Sequence, residues 1–142
     1  MNLSRYQSVP YVDGGRVVSD DPAVSGLDCF GLARHALHYA FDGPLLNSFS
    51  GIFRADQSGM DDGFKDAAGL FELCAPQAGA LACCFHKTEQ GDVFHHIGIC
   101  IDATNVMHTS AKHGYAVVPV RTFKRLANKV EFYRYVNSFA EK

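Results

Sequence analysis

From Gly79 onward the apolar residues stop recurring at helical spacing and begin to alternate, and this switch of period constrains the fold more than any other feature. Residues 80–85 (Ala-Leu-Ala-Cys-Cys-Phe) form a short apolar run of the kind a buried strand carries, and 86–92 read as a polar turn. Residues 94–101 form a strand with two unlike faces. Ile97, Ile99 and Ile101 point one way, and His96, Gly98 and Cys100 point the other. By the same alternation His95 belongs on the isoleucine face or at the strand edge. Further strands are predicted over 106–110, 115–120 and 130–136, with a short helix or loop over 121–127. Strands joined by links this short pair antiparallel, because a parallel return needs a crossover of a dozen residues or more.

The preceding half is helical or irregular. Leu32, Ala33, Ala36, Leu37, Ala40 and Phe41 recur at helical spacing, and Gly43-Pro44 stops that helix. Asp28 is placed to cap it, its carboxylate accepting from an early backbone N–H. Arg34, His35 and His38 fall largely off the apolar face. A second helix is expected over 61–74, with Phe64, Ala67, Ala68, Phe71 and Cys74 as its apolar stripe and Pro76 as its stop. Residues 9–16 and 45–63 read as irregular, the first because Pro10 and Gly14-Gly15 forbid a regular helix. Helices followed by a run of strands give the α+β class. The 142 residues are read as one domain, spanning 1–142, large enough to bury a core without metal or disulfide staples.

Thirteen basic against fifteen acidic residues leave a net charge of −2, so there is no electrostatic footprint for nucleic acid or an anionic membrane surface. No apolar run reaches the roughly 18–20 residues of a membrane span. The N-terminal residues Met1-Asn2-Leu3-Ser4-Arg5-Tyr6 lack the apolar core of a secretory signal, so synthesis as a soluble cytoplasmic protein is expected. The five cysteines, odd in number and unevenly spaced, do not form a disulfide framework. Four of them sit among apolar residues, where free cysteine packs as a small hydrophobe.

Cys29 is the exception. It follows Asp28, is flanked by Gly26 and Gly31, and stands at a helix entrance among unpaired backbone N–H groups and at the positive end of the helix dipole. Such surroundings favour the nucleophilic thiolate. A cysteine nucleophile needs an imidazole in reach and a third group that fixes the imidazole's tautomer. Of seven histidines, His96 is best placed, in mid-strand beside Gly98 and away from the isoleucines. His108 lies on the next strand. The two side chains share a face if the connecting loop has an odd number of residues, and lie on opposite faces if it has an even number. On these grounds alone a core cysteine and a core histidine compete with the catalytic pair. A metal site from Cys83, Cys84, His86, His95 and His96 fits poorly, since adjacent strand residues face opposite ways and the spacing matches no zinc pattern.

Three blocks carry a family resemblance. Tyr11-Val12-Asp13-Gly14-Gly15 is similar to a Tyr-x-x-Gly-Gly block. Asp28-Cys29-Phe30-Gly31-Leu32 is similar to an Asp-Cys-x-Gly-Leu nucleophile block. His96-Ile97-Gly98-Ile99, followed by Met107-His108-Thr109-Ser110, is similar to a His-x-Gly-Ile strand and a following strand with His-Ala/Ser. In this order they resemble the NlpC-type family of papain-like cell-wall cysteine peptidases, and among them the stand-alone peptidases of tailed-phage tail assembly. The resemblance implies a papain-like fold in which the helix bearing the cysteine packs on a central antiparallel sheet. It implies Cys29 as nucleophile, His96 as base and His108 as orienting group. Tyr11, Asp28, Phe30 and Gly31 are then placed beside the substrate and oxyanion.

The implied reaction is hydrolysis of an amide bond in peptidoglycan stem peptides, the D-γ-glutamyl–diamino acid bond, without metal or other cofactor. The implied setting is a phage or prophage tail, with phage tail proteins as partners and action in the periplasm or cell wall. Phe30 departs from the Ser usual in wall-remodelling members, and 45–63 has no counterpart. Three other readings use the same residues: a non-catalytic tail-assembly or interaction module, an amidase or acyltransferase, and an antibacterial toxin.

Overall fold

The computed structural model describes residues 3, 6, 7, 9–12, 27–46, 71–89 and 91–136. Helix α1 (Cys29–Tyr39) is followed by strands β1 (Phe71–Cys74), β2 (Leu81–Thr88), β3 (Gly91–Cys100), β4 (Asn105–Ser110) and β5 (Gly114–Pro119). A short helix α2 (Val120–Phe123), a 3-10 turn (Lys124–Leu126) and strand β6 (Lys129–Tyr135) complete the order. The strands form one antiparallel sheet in the order β1-β6-β2-β3-β4-β5, with α1 packed across β3 and β4. The class is therefore α+β, with an N-terminal helix ahead of a six-stranded antiparallel sheet. No helix among the described residues is long and apolar enough to cross a membrane.

The central strands β2, β3 and β4 carry buried residues on both faces, each under its own cluster. On the helix side Leu81, Cys83, Phe94, Ile97, Ile99 and Met107 meet Leu32, Ala33, Ala36 and Leu37 of α1. On the other side Ala82, Cys84, Cys100, Val106 and Phe132 enclose Phe123 of α2. The predicted division of 96–100 into an isoleucine face and a His-Gly-Cys face holds, and Ile101 packs partly buried on the helix side.

Helix α1 begins as expected. Gly31 N–H donates to the Asp28 carboxylate at 2.7 Å, which satisfies one of the donors a helix start leaves open. It ends with Gly43 N–H donating to the Leu37 carbonyl at 2.7 Å, and with Asp42 in the left-handed region at φ 58°, which a short polar side chain tolerates. Arg34 and His35 differ from expectation, because both are buried. The N-terminal residues Leu3, Tyr6 and Val9 cover that side of the helix. Tyr6 Oη and His35 Nδ1 share a 2.6 Å hydrogen bond there, and Arg34 Nε donates to the Leu46 carbonyl at 2.6 Å. Polar residues can occupy this buried flank because each has a fixed partner.

Two further expectations are corrected. Residues 71–74, read as the end of a helix, form the edge strand β1 in register with β6, from Phe71↔Tyr135 to Cys74↔Phe132. Pairing with β6 and the edge-on contact of the Phe71 and Tyr135 rings override the local helical spacing. The other residues of that expected helix, like Gly14-Gly15 and 47–63, lie outside the described residues. The expected polar turn over 86–92 shrinks, because β2 and β3 stay paired as far as Thr88↔Gly91. Gly91 makes so tight a turn possible, since its φ of +109° suits a residue without Cβ.

Candidate active site

The site grows out of the β3–β4 hairpin. Its register runs Ile99↔Met107 and Cys100↔Val106, so the loop between the last paired residues, 101–105, has an odd number of members. Asp102 shapes that loop by accepting from the backbone N–H of Thr104 and of Asn105, each at 2.8 Å. The parity condition is met, and His96 and His108 share a face. His96 Nε2 and His108 Nδ1 lie 3.0 Å apart in a buried hydrogen bond.

Gly98 makes this approach possible. By the register it stands opposite His108. A Cβ there would lie 2.7 Å from Val106 Cγ1, 2.9 Å from the Met107 carbonyl oxygen and 3.1 Å from His108 Cβ. The missing side chain is the space into which His108 leans.

The electrostatics of the pair are unequal. Burial, with the charge of His113 as a second cause, holds His108 down at about 4. At neutral pH His108 is therefore neutral and can accept through Nδ1. Two tautomer pairs satisfy this bond, and the one in which His96 Nε2–H donates to His108 Nδ1 leaves His96 Nδ1 for another partner.

Strand β3 carries a bulge at this point. Cys84 pairs with His96 and Phe85 with Phe94, so His95 is the extra residue. Of the two places expected for His95, the isoleucine face or the strand edge, the isoleucine face is overturned for that reason. Its ring stacks on His86 at 3.5 Å and 9°, and His86 alternates away from Phe85 and the helix side. Two consecutive histidines thus come to one side of β3, which a strict alternation forbids.

Cys29 opens α1 and is 2% exposed, as buried as Cys83, Cys84 and Cys100, whereas Cys74 on the edge strand is partly buried. Cys29 belongs to the helix-side cluster, whereas His96 lies on the other face of β3, and an electrostatic interaction of Cys29 with Cys84 joins the two sides. The Cys84 thiol is pushed up to about 12, first by burial and then by the nearby charge of Cys29, and Cys84 is the cross-strand partner of His96. Cys83, the neighbour of Cys84, lies in the helix-side cluster while Cys84 lies in the other, so the two thiols face opposite ways. Among the described residues no group of three or more His, Cys, Asp or Glu side chains is arranged to hold a metal ion.

The flanking residues named from sequence gather at the start of α1. Tyr11 forms an isolated parallel bridge with Leu27, held by Val12 N–H to the Leu27 carbonyl and Leu27 N–H to the Pro10 carbonyl, both at 3.1 Å. Tyr11 is thereby fixed beside the residue that leads into the Asp28 cap and Cys29. Asp28 and Gly31 are bound to each other as cap, and Phe30 is partly buried against the helix-side cluster. Residues 13–15 of the Tyr-x-x-Gly-Gly block lie outside the described residues. Sequence reasoning missed Phe123, whose ring meets both histidines, because 121–127 reads locally as a short helix or loop and nothing near Phe123 points to a site. No protein-family model, no curated protein and no solved structure matches this chain.

Proposed function

We propose that the chain is a papain-like cysteine peptidase of the NlpC type that hydrolyses the D-γ-glutamyl–diamino acid bond of peptidoglycan stem peptides, in the setting of a phage or prophage tail. The observation that carries the reading is the 3.0 Å bond between His96 Nε2 and a neutral His108 Nδ1. With His108 as the acceptor, this bond fixes the tautomer of His96, which stands on the strand over which the cysteine-bearing helix packs.

In this reading His96 Nδ1 takes the proton of Cys29 Sγ, and the thiolate attacks the amide carbonyl carbon. The developing oxyanion is met by the Cys29 backbone N–H, which lies in the first helical turn, and by Tyr11, held beside Leu27. The C–N bond breaks as His96 returns its proton to the leaving amine. Water then attacks the thioester with His96 as base, and Cys29 is released as thiol. His108 stays neutral throughout and holds the His96 ring in register.

The test is digestion of defined muropeptides with product masses read by mass spectrometry. The expected result is cleavage by the unaltered chain and a loss on the order of a thousandfold or more in Cys29→Ala with the fold retained by circular dichroism. Unchanged cleavage in that variant overturns the assignment.

A further inference from the structure

Phe123, the last residue of α2, is fully buried. Its ring centroid lies 5.9 Å from that of His96 at 33°, and 5.1 Å from that of His108 at 85°. The two imidazoles are themselves edge-on, 5.2 Å apart at 80°. One aromatic ring thus meets both partners of the hydrogen bond, tilted over one and edge-on to the other. The chain sets Phe123 there by two local devices. Strand β5 ends at Pro119, and Val120 N–H donates to the Thr104 carbonyl at 2.8 Å, pinning the start of α2 to the β3–β4 loop. The remaining turn of α2 then drops Phe123 into the cluster formed by Ala82, Cys84, Cys100, Val106 and Phe132.

We propose that Phe123 is a positioning residue for the histidine pair: its ring walls the His96–His108 hydrogen bond off from water and so holds His96 in the one tautomer that leaves Nδ1 for Cys29. The role rests on the peptidase reading for its consequence in catalysis, but its physical content concerns the pair alone.

Water is the competitor that makes the wall necessary. An imidazole–imidazole hydrogen bond contributes only about 0.5–1.5 kcal/mol net when both partners can bond water instead. A preference that small does not commit a ring to one tautomer. In a dry pocket the alternative partner is removed, and breaking the bond strands a polar nitrogen, at a cost of about 1–3 kcal/mol. Phe123 suits this task because a ring can close on two imidazoles at once without offering a donor or acceptor of its own.

The groups facing the pair are His95, whose ring lies 6.5 Å from that of His96 and stacks on His86, and residues of β2, the β4–β5 turn and α2. Cys84 from β2 stays a thiol at physiological pH, and His113 on the β4–β5 turn is exposed and acts on His108 as a charge, second to burial. Arg121, the charged residue of α2, is exposed, so α2 turns Phe123 and no charge toward the histidines.

The test reads the imidazole nitrogens by 15N NMR in the whole chain, beside the pH profile of muropeptide cleavage. In the unaltered protein the His96 Nε2–H is expected as a single, slowly exchanging tautomer, with His108 neutral down to about pH 4. In Phe123→Ala the His108 titration is expected to rise by about one pH unit or more as water enters. The His96 tautomer becomes mixed, and the acid limb of kcat/KM rises by the same amount with KM unchanged. Phe123→Leu, which keeps the pocket apolar, is expected to restore the titration and the single tautomer. A His96 tautomer and a His108 titration unmoved in Phe123→Ala overturn the proposal, as does a His96 N–H that exchanges rapidly in the unaltered protein. If Phe123→Ala does not fold, the smaller truncation Phe123→Val and the exchange rate in the unaltered protein decide. If the NMR result is as expected and no muropeptide is cleaved, the peptidase reading fails while the positioning role stands.

Discussion

At the scale of single residues, the glycine in the His-x-Gly-Ile strand has a physical task that can be measured apart from any reaction. A methyl group at Gly98 meets Val106, the Met107 carbonyl and His108 at 2.7–3.1 Å, and two of these belong to the backbone or the first side-chain atom of β4, which cannot swing aside. Gly98→Ala is therefore expected to push β4 outward, to destabilise the fold by about 1–3 kcal/mol in a urea titration, and to lengthen the His96–His108 bond. On the proposed function, cleavage is expected to fall with it. Gly91→Ala makes the control: a Cβ there meets nothing within 4 Å, so its cost is confined to the strained φ of its own turn and cleavage per folded molecule is unchanged. Asp28 divides similarly by substitution. Asp28→Ala loses the 2.7 Å cap to Gly31 and is expected to cost about 1 kcal/mol, whereas Asp28→Asn keeps an accepting oxygen and most of that stability. The Asp28 cap was legible because it depends on residues a few positions apart, whereas for His96 and His108 only a condition on the parity of one loop could be read, which the β3–β4 register then met. Phe123 was not legible, because its place follows from where α2 lands after β5, a matter of distant packing.

At the scale of elements, the two faces of β3 explain both what could be read in advance and what could not. From His96 to Cys100 the alternation is strict, and each side chain falls where its period predicts. One residue earlier the bulge at His95 breaks the period, and a local pattern carries no sign of it, since the extra residue is absorbed by the partner strand's register at Cys84 and Phe85. The same holds for β1, whose identity as a strand is decided by β6, far downstream in the chain, rather than by its own helical spacing. The face assignment yields a sharp contrast. Ile99 is 0% exposed between the sheet and α1, and Ile99→Ala is expected to cost about 2–5 kcal/mol. Leu73 on the edge strand is 63% exposed, and Leu73→Ala is expected to change stability by less than about 0.5 kcal/mol. Chemical denaturation of both variants checks this, and similar losses at the two positions contradict the layering.

At the scale of the whole molecule, the groups buried in the sheet define a pH window of stability, and its two limbs have opposite signs. His108 has its pKa depressed to about 4 in the fold from the ordinary imidazole value of 6.5, because burial disfavours the cation. Between those values the unfolded chain binds a proton that the folded one refuses, so stability is complete above about pH 6.5 and declines as pH falls toward 4. The decline attributable to this one group is on the order of 3 kcal/mol. The thiols act at the other end. Cys84 is raised to about 12 and Cys100 to about 11 from 9.0, both first by burial, and Cys83 is raised for the same reason. Below about pH 9 these thiols are protonated in either state; above it the unfolded chain ionises first, and stability falls as pH rises. Urea titrations from about pH 4 to 10 are expected to show a plateau between these limbs. His108→Gln, which retains an acceptor but no titrating ring, flattens the acid limb and leaves the alkaline limb in place. An acid limb of unchanged slope in that variant assigns it to other groups and removes the ground for a His108 held neutral. The same neutrality is what allows His108 to accept from His96. On the proposed peptidase function the acid limb of cleavage shares this residue with the acid limb of folding, and in His108→Gln the two are expected to separate.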